Sequence, residues 1–244
     1  MKSYAVTDTG IVRSRNEDSL FAEMNQIGSL PNLFVVADGM GGHNGGEVAS
    51  SFTVKRLSEL IKGASGDSIV KIMNGALSTV NSELKAKAGE DTSLQGMGTT
   101  AVLASFSGST LYVANVGDSR LYLLRGDRLI QITRDHSWVE EMAVCGRLNR
   151  DSDIYREKKN IITRCIGAFD RVNPDFFEVD LQEGDIVLMC TDGLTNMVSD
   201  EDIRDIIRSS SKLKTVGDRL IAKGRENGGA DNLSVILVNP ELKR

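Results

Sequence analysis

The stretch Phe34–Ser50 reads FVVADGMGGHNGGEVAS. Its apolar run Phe34–Ala37 predicts a buried strand, which delivers one carboxylate, Asp38, into a segment where five of the next eight residues are glycine. An amphipathic helix from about Glu47 to Lys62 follows, with Ala49, Phe52, Leu57, Leu60 and Ile61 on one face. A backbone so bare beside a carboxylate can press close to an ion or an anion. A plain strand–turn–helix connection would read the same way.

Outward from this stretch, the clearest element is a second helix. Ile69, Ile72, Met73, Ala76, Leu77, Val80 and Leu84 fall on one helical face, with Asp67 as the expected N-cap and Gly89 as the expected stop. On the N-terminal side, residues 3–7 and 19–24 read as short strands around the polar segment TGIVRSRNED. From Gly98 the pattern turns to β. Thr99–Phe106, Leu111–Val116, Leu121–Leu124 and Leu129–Ile132 are short β-prone runs separated by SGS, GDS and RGD, an antiparallel meander. Residues 137–160 begin as a helix and continue as a charged, mobile surface loop. Ile186–Cys190 predicts a buried strand, helices follow at about 200–209 and 213–226, and Leu233–Val238 is a final strand. Segregated helices and antiparallel strands point to an α+β fold, with helical layers outside packed sheets, and disfavour a parallel doubly wound one. No linker, repeat or low-complexity segment divides residues 1–244, so one domain is expected.

Composition narrows the function. A net charge of −5 leaves no basic footprint for nucleic acid. Cys145, Cys165 and Cys190 are odd in number and form no CxxC, which predicts reduced thiols in a cytoplasmic protein. There is no apolar leader and no run long enough to span a membrane.

Four aspartates sit at the mouths of apolar strands. Asp38 follows FVVA, Asp118 follows LYVANVG, Asp192 follows VLMCT, and Asp231 lies just before LSVILV. If those ends converge, the carboxylates cannot all stay ionised unless their pKa values rise or cations bind. Oxygen donors with no Cys or His beside them favour Mg²⁺ or Mn²⁺ over zinc. Aspartate is also common in strand-end turns for turn chemistry alone.

Seven motifs occur in order: RSRNED at Arg13–Asp18, DGMGGHNGGE at Asp38–Glu47, GTT at Gly98–Thr100, GDSR at Gly117–Arg120, TRDHS at Thr133–Ser137, TDGL at Thr191–Leu194, and DN at Asp231–Asn232. Together they resemble the metal-dependent Ser/Thr protein phosphatases of type 2C (PPM), in particular the compact bacterial members, from Asp8 to about Val238. The resemblance implies a four-layer αββα sandwich, two antiparallel sheets flanked by helix pairs. It also implies a catalytic centre of two Mn²⁺ or Mg²⁺ ions, with a third bound more weakly. By motif, Asp38 bridges two ions and the Gly39 carbonyl binds one; Asp192 and Asp231 hold the other, Asp18 acts through metal-bound water, and Asp118 serves a third ion together with Asp192. Arg13 matches the arginine that grips the substrate phosphate, where a guanidinium fork suits phosphate oxygens.

The implied chemistry is attack of a hydroxide bridging two metals on phosphoserine or phosphothreonine. The implied partners are phosphoproteins and a bacterial Ser/Thr kinase whose action is opposed, with the chain working as a monomer. His43 fits the bacterial pattern and is a candidate near the metal waters, because Met40 stands where eukaryotic relatives carry a histidine after the DG pair. Asn196 replaces a further eukaryotic aspartate. Glu17 either fixes its loop or touches the metal-water shell, and His136 reads as structural. The segment 138–160 matches the flap of bacterial members in position only. Two alternatives stand beside this one: a catalytically dead binding module, against which Asp38, Asp192, Asp231 and Arg13 speak, and a relative dedicated to one regulatory phosphoprotein. Asp8–Gly10 imitates an aspartic-protease signature but has no second copy.

Overall fold

The computed structural model describes residues 1–42 and 45–242. In chain order, the strands are β1 (Lys2–Asp8), β2 (Asp18–Glu23), β3 (Leu33–Met40), β4 (Gly98–Thr99), β5 (Ala101–Ser107), β6 (Thr110–Val116), β7 (Arg120–Arg125), β8 (Arg128–Gln131), β9 (Asp175–Asp180), β10 (Ile186–Cys190) and β11 (Leu233–Asn239). The helices are α1 (Gly45–Gly63), α2 (Ile69–Glu90), α3 (Trp138–Val144), α4 (Asp153–Lys158), α5 (Asp192–Met197), α6 (Asp200–Arg208) and α7 (Leu213–Glu226).

The strands form two antiparallel sheets. One has the order β1-β11-β10-β7-β8; the other runs β2-β3-β5-β6-β9, with β4 paired to β3. Because side chains alternate along a strand, a strand buried on both faces must be apolar throughout. On β3, Leu33, Val35 and Ala37 pack with α1 and α2 residues such as Leu57, Ile61, Met73 and Leu77. Phe34 and Val36 point the other way, into a core shared with Leu121, Leu123, Val187, Met189, Ile236 and Val238 of the opposite sheet. That opposite sheet sends Tyr122, Leu188, Cys190, Val235 and Leu237 outward against Ile203, Val216 and Leu220 of α6 and α7. Two helix-facing cores and one inter-sheet core make the αββα sandwich.

Several local features differ from the sequence-based expectation. β3 does not stop at Asp38 but runs on to Met40, where β4 pairs with it. The run from Thr99 to Phe106 divides at Thr100 into β4 and β5. α2 is capped by Ser68, whose side chain accepts from the Lys71 N–H, rather than by Asp67, and it continues through Gly89 to Glu90. Residues 153–158 are helical rather than loop, with Ser152 capping the Tyr155 N–H. β9 and α5 carried no signal strong enough to be predicted. The two ends of the 138–160 flap are joined at their base, where the Trp138 N–H donates to the Ile161 carbonyl and Ser137 bridges Ile162. All three cysteines are free thiols, with Cys165 and Cys190 buried.

Candidate metal centre

The site lies where the two sheets end side by side. Asp18 opens β2 and pairs directly across from Asp38 on β3, so two carboxylates stand opposite each other in one sheet. The other sheet contributes Asp192, the residue after Thr191 at the end of β10, and Asp231, just before β11. Asp118 sits in the turn where the chain crosses from β6 in one sheet to β7 in the other. Arg13, Glu17, Asp38, Gly39, Met40, Gly41, Asp118, Asn160, Ile162, Asp192, Asp231 and Asn232 line one cleft of about 270 Å³.

The electrostatics follow from that crowding. Desolvation first, then the charges of Asp18, Asp192, Asp118 and Asp231, push the Asp38 carboxyl well above its ordinary range. Burial raises Asp18 to about 7, against the nearby hydroxyls of Ser234 and Thr191 and with added repulsion from Asp192 and Asp231. Burial and the neighbouring Asp192 raise Asp118 to about 8. Asp192 is raised by burial and Asp231, and lies within hydrogen-bonding reach of Asp38. Glu17 is also raised, chiefly by burial.

Individual contacts show what the cluster lacks. Thr191 Oγ1 donates to Asp18 Oδ2 at 2.9 Å, whereas the buried Asp18 Oδ1 has no hydrogen-bond partner. Asn196 donates to Asp192 Oδ2 at 2.9 Å. Asp231 Oδ2 accepts from Arg13 Nη2 at 2.9 Å, and its Oδ1 accepts from the Asn232 N–H. Among the described residues no three His, Cys, Asp or Glu side chains stand close enough together to hold an ion as they are placed. Asp231 is instead turned to Arg13, and Asp38 faces Asp192.

The scaffold around these groups is tightly specified. A Cβ on Gly39 would fall 1.9 Å from the Gly46 carbonyl oxygen, and one on Gly46 would meet Glu17 Oε1 at 2.6 Å. The glycines of the opening stretch therefore let the start of α1 abut β3. Asn232 stitches the N-terminal loop to β11: its Oδ1 accepts from the Glu17 N–H, and its amide donates to the carbonyls of Thr9 and Arg15. Thr100 Oγ1 accepts from the Asp38 N–H at 2.9 Å.

Of the residues singled out in the sequence, Arg13, Asp38, Gly39, Asp118, Asp192 and Asp231 all line the cleft. Asp18 lies behind it, buried against Asp38. His43 lies outside the described residues. Glu17 has its loop fixed through its backbone N–H on Asn232, and it is among the residues lining the cleft. Asn160 and Ile162 were missed; they reach the cleft from the end of the flap, and nothing in their local pattern marks them.

Over residues 3–233 the sequence matches the family described as Protein phosphatase 2C. The chain belongs to this family. The serine/threonine phosphatase stp of Listeria innocua serovar 6a is 38% identical to the phosphatase over 240 residues, 97% of this chain and 94% of that protein. The solved serine/threonine phosphatase of S. agalactiae matches at a TM-score of 0.89 and 32% identity, covering 97% of this chain and 98% of that one. The catalytic domain of the phosphatase PstP, solved in complex with two manganese ions, matches at a TM-score of 0.83 and 34% identity, covering 97% and 96%. The chain is thus a protein-serine/threonine phosphatase of type 2C, similar to the bacterial ones. Among the described residues no helix is long and apolar enough to cross a membrane.

Proposed function

We propose that residues 1–244 form one catalytic unit in which Asp38, the Gly39 carbonyl, Asp192 and Asp231 would hold two Mn²⁺ or Mg²⁺ ions. Asp18 would act through a coordinated water, and Asp118 with Asp192 would serve a third ion. The observation that carries this is the unpartnered, buried Asp18 Oδ1 in a cluster where burial and like charge raise the proton affinities of Asp18, Asp38, Asp118 and Asp192. A cluster that holds on to protons for want of counter-charge is suited to exchange them for hard cations, and every donor is oxygen. Such ions, when bound, would supply a hydroxide nucleophile near neutral pH by lowering the pKa of water.

The chain's own residues do the rest. Arg13, half exposed at the rim, presents a guanidinium for two phosphate oxygens and offsets their charge as the ester bond to the Ser or Thr oxygen breaks. Its ion pair with Asp231 keeps it aimed into the cleft. Asn232 and Thr100 hold the backbones that carry Glu17 and Asp38. Hydrolysis of this kind needs no phosphorylated enzyme intermediate, in keeping with a cleft lining that includes none of Cys145, Cys165 and Cys190. Phosphoserine and phosphothreonine arise from transfer by a Ser/Thr kinase, so the phosphatase opposes one, as a cytoplasmic monomer. Asp192→Asn tests the assignment: turnover of a phosphothreonine peptide is expected to vanish while the circular dichroism spectrum is retained. Near-normal turnover would remove Asp192 from the metal set.

A further inference from the structure

We propose that His136, held by Asp175, is a positioning residue that fixes the Asp118 carboxylate for divalent-ion binding; the inference rests on reading Asp118 as an ion ligand. Asp118 differs from the other cleft aspartates in lying on a turn between two sheets, so its place depends on how that turn is anchored. The anchor is Gly117, at φ +106. Its N–H donates to His136 Nδ1 at 3.1 Å, and its carbonyl accepts from the His136 backbone N–H at 2.9 Å. The Asn115 amide reaches the same carbonyl at 3.4 Å and the Arg134 carbonyl at 2.9 Å. On the other side Thr100 closes the space, for a Cβ on Gly117 would sit 2.5 Å from Thr100 Cγ2.

An Nδ1 that accepts from Gly117 carries no proton, so in the neutral ring the proton is on Nε2. Nε2 lies 3.1 Å from Asp175 Oδ2, and Arg164 Nη1 holds the other Asp175 oxygen at 2.9 Å. Asp175 in turn pairs directly across from Asn115, at the β9–β6 edge, so the chain of contacts closes on itself. A neutral imidazole fits this place because it offers an acceptor on one edge and a donor on the other. The residue is only 2% exposed, so water cannot stand in for it. It does not line the cleft and so acts through Gly117. The flap also ends on it, since the Thr163 N–H donates to the His136 carbonyl at 2.8 Å.

The test is Mn²⁺ titration of the metal-stripped, full-length protein, following free Mn²⁺ by electron paramagnetic resonance and folding by thermal melting. The wild type is expected to show a tighter class of ions and a weaker one. In His136→Leu the weaker class is expected to lose about tenfold or more in affinity while the tighter class stays within about threefold. His136→Asn, whose Oδ1 can take the place of Nδ1, is expected to restore most of it. A Leu variant that melts earlier but binds both classes as the wild type does would overturn the proposal, as would equal losses in Leu and Asn. Should His136→Leu not fold, Asp175→Ala removes the ring's partner and leaves the ring, and an unchanged weaker class there overturns the proposal too. A wild type with no weaker class would overturn the ligand role of Asp118 and this inference with it; Mn²⁺-dependent phosphate release by the same sample would leave the phosphatase reading intact.

Discussion

Replacing Asp18 by asparagine is expected to change the stability of the metal-free phosphatase in a pH-dependent way. Native Asp18 is pushed from 3.8 up to about 7. The fold therefore favours its protonated form, and the stability this brings is fully present below the unfolded value and is lost as pH rises toward the native one. Between about pH 5 and pH 8.5 this one group costs the wild type roughly 2.7 kcal/mol, from about two units at ~1.36 kcal/mol each. That figure is a ceiling, because neighbouring carboxyls re-titrate when one charge changes. Asparagine does not titrate. Its oxygen can keep the Thr191 hydroxyl, but its NH₂ falls where Asp18 Oδ1 has no partner, at a pH-independent cost of about 1–3 kcal/mol. The variant is thus expected to gain roughly 2.7 kcal/mol on the wild type between about pH 5 and pH 8.5, and to match or exceed it at the higher pH. Urea denaturation in EDTA at the two pH values reads the difference directly. A constant offset at both would show that Asp18 is ionised throughout and would refute the electrostatic account of the cluster. Added Mn²⁺ is expected to stabilise the wild type more at the higher pH, where fewer protons compete, and the variant less than the wild type at either.

Arg13→Ala is expected to raise KM for phosphopeptides by about tenfold or more while kcat stays within about threefold, because the grip on phosphate is made in the ground state as well. Steady-state kinetics with a phosphothreonine peptide decides it, and a fallen kcat at unchanged KM would contradict that role. Gly39→Ala is expected to destabilise by about 3 kcal/mol or more, since its Cβ would collide with the Gly46 backbone, whereas Gly75→Ala, in open space on α2, is expected to stabilise by about 0.5–1 kcal/mol. Thermal melts of the two variants test the pair together, and similar melting temperatures would show that α1 does not press on β3 as described.

The parts of the fold that were legible in the sequence are those where burial is two-sided or strictly periodic. β3, β10 and β11 are apolar on both faces because helices cover one and the other sheet covers the other, so they stand out as continuous runs. α2 buries Ile72, Met73, Ala76, Leu77, Val80 and Leu84 along one face, which fixes its period. Its start was missed by one residue because Asp67 and Ser68 are both good caps, and only the geometry shows that Ser68 reaches the Lys71 N–H. β9, with Asp175 and Asp180 at its ends and no fully buried residue, has no such contrast. α4 buries nothing and has no periodicity, so its charged residues read as a loop. α5 is a six-residue helix whose first residue is Asp192, hidden within the TDGL motif.

The site divides in the same way. Asp38, Asp118, Asp192 and Asp231 were visible because each lies within two residues of a strand end, and strand ends in adjacent sheets meet at one rim. Asn160 and Ile162 reach that rim only through the path of the flap, which no local pattern encodes. The support for Asp38 from Thr100 and for Asp118 from His136 depends on contacts between segments 62 and 19 residues apart, respectively. The Arg13–Asp231 pair spans 218 residues.

The central claim is that phosphate is released by an ion-dependent, carboxylate-built centre. It is tested most directly by stripping the protein of metal and measuring phosphate release from a phosphothreonine peptide, with Mn²⁺, Mg²⁺, Ca²⁺ or nothing restored. Turnover that returns with Mn²⁺ or Mg²⁺ and is abolished by EDTA is the predicted result. Turnover in folded, metal-free protein that no added ion increases would contradict it.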